Sequence, residues 1–227
     1  MPPCMDWRGY FLTEEYRVRK RQCRVVVFID GQNVHQDFRR AFVADADTAE
    51  PHIGAFNPMA LAERLVAMGP DFEEWTLKEV RAYVGSPLAH RQPTATAAHD
   101  RQMEKWRGWG VVTRARPLYY PPGETPRQKG VDVELAIDVF RMAVEKQYEI
   151  GIIVSTDQDI KPALEAVAKL RGSEPTPRIC GVRYGDLPQR LTFTDDKGNT
   201  TYCFRLLAAD YMAVMDPTDY RIDPNAK

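Results

Sequence analysis

The chain has 227 residues, which is enough for one large domain or for one domain with an appendage. Its composition, with 44% hydrophobic and 28% charged residues, is that of an ordinary globular protein, and the formal net charge of −1 leaves no global basic excess. A nucleic-acid-binding role therefore has to be argued from a local site. No apolar run approaches the roughly 18–20 residues that cross a bilayer, so no membrane partner is predicted.

The cysteines and the first residues indicate a cytoplasmic location. The four cysteines are scattered and form no C-x-x-C pair, as is typical of reduced thiols; they are Cys4, Cys23, Cys180 and Cys203. Residues 1–21 lack an apolar stretch followed by a small-residue cleavage site, so no secretory signal is predicted. Residues 1–23 are predicted to be an arm with a short helix near residues 13–20.

From residue 24 onward, hydrophobic periodicity predicts alternating strands and helices. In chain order these are a strand at 24–29, helices at 34–43 and 57–68, a strand at 76–84, a helix at 94–106, a strand at 111–114, a helix at 130–146, a strand at 150–154, a helix at 157–170 and a strand at 178–183. The first strand is apolar on both faces, which is typical of a central strand in a parallel sheet. This alternation predicts an α/β fold, with helices on both faces of a parallel sheet.

Two further expectations concern particular segments. The apolar side of the helix at 130–146 is predicted to be Val131, Leu135, Ile137, Val139, Met142 and Ala143. Beyond residue 186, the segments 191–194 and 200–204 flank a Gly/Asn turn and predict a β-hairpin, followed by a closing helix at 206–215. The chain is therefore divided into an arm at 1–23, an α/β domain at 24–184 and a hairpin and helix extension at 185–227 that packs on the same domain.

Acidic residues stand at the sheet edge where open α/β sheets bind ligands, beyond the carboxyl ends of the strands. Asp30 comes directly after the first strand, and Asn33 follows three residues later. Asp157 and Asp159 follow the fourth strand, and Asp132 opens the helix that precedes it. Helix entrances lie at the same edge as strand exits, so the four carboxylates are predicted to converge.

Carboxylates gathered in this way repel one another and need a counter-charge to stay ionised. Mg²⁺ or Mn²⁺ fits, because one or two carboxylates, waters and a substrate phosphate complete its coordination. Such an ion can generate hydroxide and neutralise charge in phosphodiester cleavage. Lys129 precedes Asp132 and is predicted to contact a phosphate or tune the acids. Asp138 lies roughly 240° around the helix from Asp132 and is predicted at the pocket edge or on a solvated face.

Each acid taken alone also has an ordinary structural explanation. Asp30 can simply end a strand, and Asp157 and Asp159 can cap the following helix. Asp132 can be a first-turn acid that faces the helix dipole. It is the placement of all four acids at one edge of one sheet that favours a metal site.

Four sequence blocks follow one another along the chain. They are Phe28-Ile-Asp-Gly-Gln-Asn33, Ala82-Tyr-Val-Gly-Ser-Pro87, Lys129-Gly-Val-Asp-Val133 with Asp138, and Val154-Ser-Thr-Asp-Gln-Asp159. The first, third and fourth resemble the signature blocks of NYN domains, a branch of the PIN-like ribonuclease superfamily, and the second resembles that family's second strand. The resemblance covers roughly residues 24–184 and implies a Rossmann-like, PIN-type parallel sheet.

The resemblance also implies a metal-dependent nuclease site. Its core metal ligands would be Asp30, Asp132 and Asp157, with Asp159 as a fourth acid. Asn33 would orient a ligand or water, and Ser155 would lie in the same pocket. The residues expected to be catalytic are Asp30, Asp132, Asp157, Asp159 and Asn33. Thr156 departs from the family, which often has Gly there. We expect an Mg²⁺- or Mn²⁺-dependent endoribonuclease, a hydrolase, that acts on single-stranded RNA.

Cations and aromatic residues cluster around the Pro-rich segment at 117–129, which is typical of a surface for single-stranded RNA. The cluster is Arg114, Arg116, Tyr119, Tyr120, Arg127 and Lys129, and the expected substrate-binding residues are Ser155, Lys129, Arg127 and Arg116. A solvated loop with its rings packed inward is the alternative explanation for this segment.

Two alternatives stay open at this stage. One concerns function and is a catalytically silent NYN-fold module that binds RNA or a protein. The other concerns assembly, where a homodimer stays open. Other Asp-rich α/β classes are disfavoured. A haloacid-dehalogenase-type phosphatase would carry a second Asp where Gln32 stands, and a dinucleotide-binding fold would carry a G-x-G-x-x-G motif after the first strand.

Overall fold

The computed structural model describes residues 20–170, 177–193 and 201–223. The strands are β1 (Arg21–Asp30), β2 (Glu73–Ser86), β3 (Val112–Pro117), β4 (Ile150–Val154), β5 (Arg178–Tyr184) and β6 (Tyr202–Leu206). The helices are α1 (Gly31–Phe42), α2 (Pro58–Ala67), α3 (Pro93–Gly108), α4 (Val131–Val144), α5 (Lys161–Lys169) and α6 (Ala208–Val214), and a 3₁₀ turn spans Gln158–Ile160. The short helix predicted near 13–20 lies outside the described residues, apart from residue 20.

The six strands form one parallel sheet in the order β3-β2-β1-β4-β5-β6. Ile29 in β1 lies beside Ala82 of β2 on one side and beside Val154 of β4 on the other. The chain builds outward from β1 through β2 and β3, then returns to the other side of β1 and builds outward through β4, β5 and β6. This reversal places a crevice at the carboxyl ends of β1 and β4, where open α/β sheets bind ligands.

Both faces of the sheet are covered, as predicted from the continuous apolar run in β1. Alternate β1 residues point to opposite sides: Val25, Val27 and Ile29 join the core beneath α1, α2, α3 and α6, while Val26 and Phe28 join the core beneath α4 and α5. All five side chains are fully buried. Each such burial stabilises the fold by about 1.5–3 kcal/mol, so β1 fixes the position of Asp30, its last residue.

Local sequence signals account for several helix boundaries. The side-chain oxygen of Asn57 accepts hydrogen bonds from the backbone N–H groups of Met59 and Ala60, at 3.0 and 3.1 Å, and Pro58 opens α2. The helix predicted at 157–170 instead begins as the 3₁₀ turn and becomes α5 at Lys161. Pro162 lies in the first turn of α5, where its missing N–H costs no intrahelical hydrogen bond.

The predicted apolar side of α4 is wrong at Ile137. This residue is 58% exposed, and it forms an outward apolar strip with Val133, Phe140 and Val144. The other predicted residues of that side are buried. Ile137 is two positions from buried Leu135, which corresponds to roughly 200° of helical rotation, so the two side chains face opposite ways.

The segment after residue 185 extends the same core. β6 pairs in parallel with β5, the Tyr211 ring of α6 packs 5.0 Å from the Phe38 ring, and the backbone N–H of Asn57 donates to the carbonyl of Val214. The turn of the predicted hairpin lies outside the described residues, but its two flanks meet where the backbone N–H and hydroxyl of Thr201 donate to the Phe193 carbonyl. Within the described ranges, no helix is long and apolar enough to cross a membrane.

Candidate acidic active site

Asp30 lies at the end of β1 and caps α1. Its Oδ1 accepts the backbone N–H of Asn33 at 3.1 Å, and its side chain is almost fully buried, with the residue 8% exposed. Burial raises the pKa of Asp30 to about 6, and repulsion from Asp157 and Asp132 adds to this effect against the opposing hydrogen bond from Asn33. The structure therefore brings three of the predicted acids into electrostatic contact at the carboxyl end of β1.

Asp157 is held by a compact turn just after β4. Its Oδ1 accepts the backbone N–H of Asp159 at 2.9 Å, and its own N–H donates to the hydroxyl of Ser155 at 3.1 Å. Ser155 is fully buried, so its hydroxyl supports the turn rather than presenting a surface. The capping role considered from the sequence is thus observed for Asp157, and it leaves the second carboxylate oxygen free of this turn.

Asp132 and Asp159 lie on the outer side of the acidic site. Asp132 is the second residue of α4 and is half-buried, whereas Asp159 is exposed. Both line the groove between α4 and α5. Within the described ranges, no three or more His, Cys, Asp and Glu side chains are gathered closely enough to form a metal cage by themselves. Mg²⁺ and Mn²⁺ sites that use one or two carboxylates with waters do not require such a cage.

Asn33 and Asp37 join α1 to the loop after β4. Oδ1 of Asn33 accepts the backbone N–H of Thr156 at 2.8 Å, and Oδ2 of Asp37 accepts the hydroxyl of Thr156 at 2.7 Å. Asp37 is 1% exposed, and burial raises its pKa. The Thr at position 156 is therefore accommodated by its own hydrogen bonds, and these bonds fix the loop that carries Asp157.

Asp138 is buried and not on a solvated face, one of the two positions that the helical rotation suggested, and it lines a groove with Arg114 and Arg116. Its carboxylate accepts from Arg81 at 2.7 Å, from the Tyr83 hydroxyl at 2.9 Å and from Arg141 at 3.0 Å. Burial acts to raise its pKa, but these hydrogen bonds and the charge of Arg81 outweigh it and hold the pKa below its usual value. Asp138 is thus neutralised by protein cations and differs from Asp30, which pairs with no cation in the described part of the chain.

A basic rim lies beside the acids, on β3 and the loop before α4. Arg116 is exposed and 3.4 Å from Glu134, and Lys129 Nζ lies 5.0 Å from the ring centre of Tyr119. Arg127 contacts the same ring at 5.7 Å, and its backbone pairs with that of Tyr119. The Tyr119 ring is 42% exposed, so the loop presents a ring and two cations outward. The hydroxyl of Tyr120, in contrast, is bonded to Gln92 and Leu88.

Sequence reasoning missed two parts of this site. Asp37 stands four residues after Asn33 on α1, a spacing that places both side chains on one helix face and could have signalled a shared partner. Arg81 and Tyr83, the partners of Asp138, lie in β2 and carry no local signal, because only the pairing of β2 with β1 brings them under α4.

Comparisons with known proteins bear on the same residues. A model of the family described as "NYN domain" matches residues 24–173, which contain all four predicted acids. No curated protein matches the chain. A partly similar solved structure is the crystal structure of a protein of unknown function from Vibrio parahaemolyticus, which is 17% identical with a TM-score of 0.46; the alignment covers 72% of this chain and 81% of the other.

Proposed function

The chain belongs to the NYN domain family, a branch of the PIN-like ribonuclease superfamily, and we propose that it hydrolyses phosphodiester bonds of single-stranded RNA with a divalent metal ion. The proposed reaction is endonucleolytic, and the proposed site is the acidic edge at the carboxyl ends of β1 and β4. RNA is the proposed partner.

The observation that carries this proposal is the electrostatic state of Asp30. Its carboxylate is nearly buried, it lies close enough to Asp157 and Asp132 to be repelled by both, and its pKa is raised to about 6. The nearby cations Arg81 and Arg141 are hydrogen-bonded to Asp138 and not to these three acids. An arrangement that concentrates negative charge, with no counter-charge from residues 20–170, 177–193 or 201–223, favours a bound cation.

Mg²⁺ or Mn²⁺ suits these residues, because the donors are carboxylate oxygens and hard divalent cations prefer oxygen. Asp30, Asp132 and Asp157 would hold the ion, and exposed Asp159 would act as a fourth acid at its outer side. When bound, the ion would supply an activated water and neutralise charge on the phosphate.

The chain's own residues prepare this site for an extended substrate. Asn33 and Asp37 fix Thr156, and Ser155 fixes the N–H of Asp157, so the loop that carries the acid is held by hydrogen bonds from two sides. We propose that Asn33 and Ser155 act mainly as positioning residues for the acids. Arg116, Arg127 and Lys129 would bind the phosphates, and Tyr119 would stack on a base.

The experiment is cleavage of a labelled, mixed-sequence single-stranded RNA with Mn²⁺, with Mg²⁺ and with EDTA. Asp157→Asn should lose cleavage in both metals. Asp71→Asn is the matched control, because it makes the same change on an exposed residue before β2, at the opposite edge of the sheet. Circular dichroism melts of all three proteins verify that each is folded.

Metal-dependent cutting that is lost in Asp157→Asn and kept in Asp71→Asn supports the nuclease. Cutting in EDTA, or full cutting by Asp157→Asn, contradicts the mechanism. Tight RNA binding by the wild type without cutting in either metal would favour the catalytically silent binding module instead.

A further inference from the structure

A second cavity opens next to Asp30, on the opposite side of α1's first turn from the acids' α4–α5 groove. The two charged side chains in its lining, Asp219 and Arg221, are hydrogen-bonded to each other. Its volume is about 300 Å³, at the small end of the range for ligand pockets. Gly31 and Gln32, which directly follow Asp30, form one wall, and Val84 and Gly85 at the end of β2 form another. Gln128, four residues before Asp132, lies on its rim. The cavity is therefore contiguous with the proposed cleavage site.

Hydrogen-bonding groups without protein partners line this cavity. Among the described residues, the side chains of Gln102, Gln128 and His99 have no hydrogen bond to another protein group, although all three are half-buried. Trp106 is 2% exposed, and its indole N–H is buried without a partner in the described part of the chain. A buried N–H without an acceptor is unfavourable, and an acceptor on a ligand would satisfy it.

The side chain of Gln128 packs against Gly85 in the lining of the cavity. A Cβ on Gly85 would lie 2.7 Å from Cγ of Gln128 and 3.1 Å from its amide nitrogen, so glycine is what allows this side chain to pack there. The amide can both donate and accept, as can the amide of Gln102. Two such amides can recognise the edge of a flat, polar ring.

The last wall is formed by residues outside the family match. Thr218, Asp219, Tyr220 and Arg221 close the cavity, whereas the match ends at residue 173. Arg101 on α3 fixes this segment by donating to the Tyr220 carbonyl at 2.9 Å, and the Tyr220 hydroxyl donates to Asp216. The cavity is thus a property of this chain, built from α3, β2 and its C-terminal segment together.

We propose that this cavity receives one unpaired nucleobase of the RNA, that of the nucleotide adjacent to the cleaved phosphate, and that it sets the base preference of cleavage. Gln102 and Gln128 recognise the hydrogen-bonding edge of the base, and the Trp106 N–H donates to one of its acceptors. The inference rests on the proposed nuclease function for its place next to the cleaved bond. Its size and the neutral amides of Gln102 and Gln128 suit a base, and the charge of Arg221 is already paired with Asp219 and Glu50.

The activity test is sequencing of the products from a randomised single-stranded RNA. The wild type should prefer one base over the least favoured base by about tenfold at one position next to the cut. Gln102→Leu and Gln128→Leu should reduce that preference to about twofold or less. Gln22→Leu, at the far end of β1, is the matched control and should keep the wild-type preference.

A second readout does not depend on cleavage. The chain has four tryptophans, so an ¹⁵N spectrum contains few indole signals, and Trp106→Phe identifies the one from Trp106. Short single-stranded RNA is added in EDTA, and fluorescence anisotropy shows when binding is saturated. At saturation, the Trp106 indole signal of the wild type should be shifted. The shift should be lost in Gln102→Leu.

The outcomes separate the two proposals. Cleavage with no base preference, or with a preference that both leucine variants retain, overturns the inference and leaves the nuclease standing. An absence of cleavage, together with a Trp106 shift that Gln102→Leu abolishes, overturns the nuclease and supports the base pocket. RNA that binds to saturation without moving the Trp106 signal overturns the base pocket in either case.

Discussion

The hydroxyl of Thr156 donates to Oδ2 of Asp37 over 2.7 Å and thereby ties the loop after β4 to α1. Because Asp37 is almost fully buried, removing this donor leaves its carboxylate, among the residues that the structure describes, with only the 3.4 Å contact from Arg40. We expect Thr156→Val to lower the free energy of unfolding by about 1–3 kcal/mol, as for other buried polar groups left without a partner.

Urea unfolding followed by circular dichroism measures this loss. The matched control is Thr76→Val, the same substitution at an exposed position of β2, which should change stability by less than about 0.5 kcal/mol. Equal stability of the two variants would show that the bond between Thr156 and Asp37 does not stabilise the fold.

Asp30 gives a pH prediction for the metal-free protein. Burial, with repulsion from Asp157 and Asp132, raises its pKa from 3.8 to about 6. The folded protein then binds this proton more tightly than the unfolded chain does, so the stability contributed by Asp30 decreases as pH rises from about 4 to about 6. Asp30→Asn removes this titration and still caps α1. We expect it to be more stable than the wild type at pH 7 in EDTA, by on the order of 1–3 kcal/mol.

Urea unfolding in EDTA at pH 4, 5, 6 and 7 measures this difference, which should be small at pH 4 and grow with pH. Asp71→Asn, whose parent residue is exposed, should follow the wild type throughout. Mn²⁺ at pH 7 should then stabilise the wild type and not Asp30→Asn, because only the former keeps the proposed ligand. A difference that does not vary with pH would contradict the raised pKa.

Asp138 is expected to support the fold and not to bind metal. Asp138→Ala leaves Arg81 buried without one of its two acidic partners, so we expect a loss of about 3 kcal/mol in the free energy of unfolding. Glu145→Ala, which removes an exposed partner of Arg141 at the end of the same helix, should cost less than about 1 kcal/mol.

Mn²⁺ titration by calorimetry distinguishes Asp132 from Asp138, both of which lie on α4. Asp138→Asn should bind Mn²⁺ as the wild type does, whereas Asp132→Asn should bind it at least tenfold more weakly. Weaker Mn²⁺ binding by Asp138→Asn than by Asp132→Asn would instead place the metal at Asp138, beside Arg81. Lost binding in both variants, with both folded, would mean that α4 supplies two ligands.

The basic rim predicts a salt dependence of RNA binding. In the Asp30→Asn background, Arg116→Ala and Lys129→Ala should each weaken binding similarly for all sequences. Each should reduce the slope of log K against log salt by about 0.7, the value for one single-strand phosphate contact. Fluorescence anisotropy with labelled RNA at several salt concentrations measures the slope.

Lys169→Ala is the control for the rim, because Lys169 is exposed at the end of α5 that leads away from the acids. It should leave the slope unchanged. A slope that falls equally in all three variants would indicate diffuse attraction rather than contacts at the rim.

Most of the architecture could be predicted because each element carries its own signal. The uninterrupted apolar run of β1 indicates burial on both faces, and Asn57 with Pro58 marks the start of α2. The acids after β1 and β4 could be brought together from topology alone, since neighbouring parallel strands end at one edge.

What escaped prediction depends on contacts between distant segments. Ile137 is as apolar as its buried neighbours, and only the seating of α4 on the sheet turns it outward. Asp138 is buried because β2 supplies Arg81 and Tyr83, which nothing near it in sequence indicates. The cavity beside Asp30 could not be inferred either, since its walls come from both ends of the chain.

Because Ile29 of β1 pairs with Val154 of β4, the acidic site is completed only after both strands have been synthesised. Asp30 leaves the ribosome long before Asp157, and at about 5–20 residues per second the interval is roughly 6–25 s. During that time β1 has no β4 beside it, and the nascent polypeptide holds only part of its set of acids. If it is a nuclease assembled from both halves of its sheet, it would thus stay inert during this interval, while it is tethered next to its own messenger.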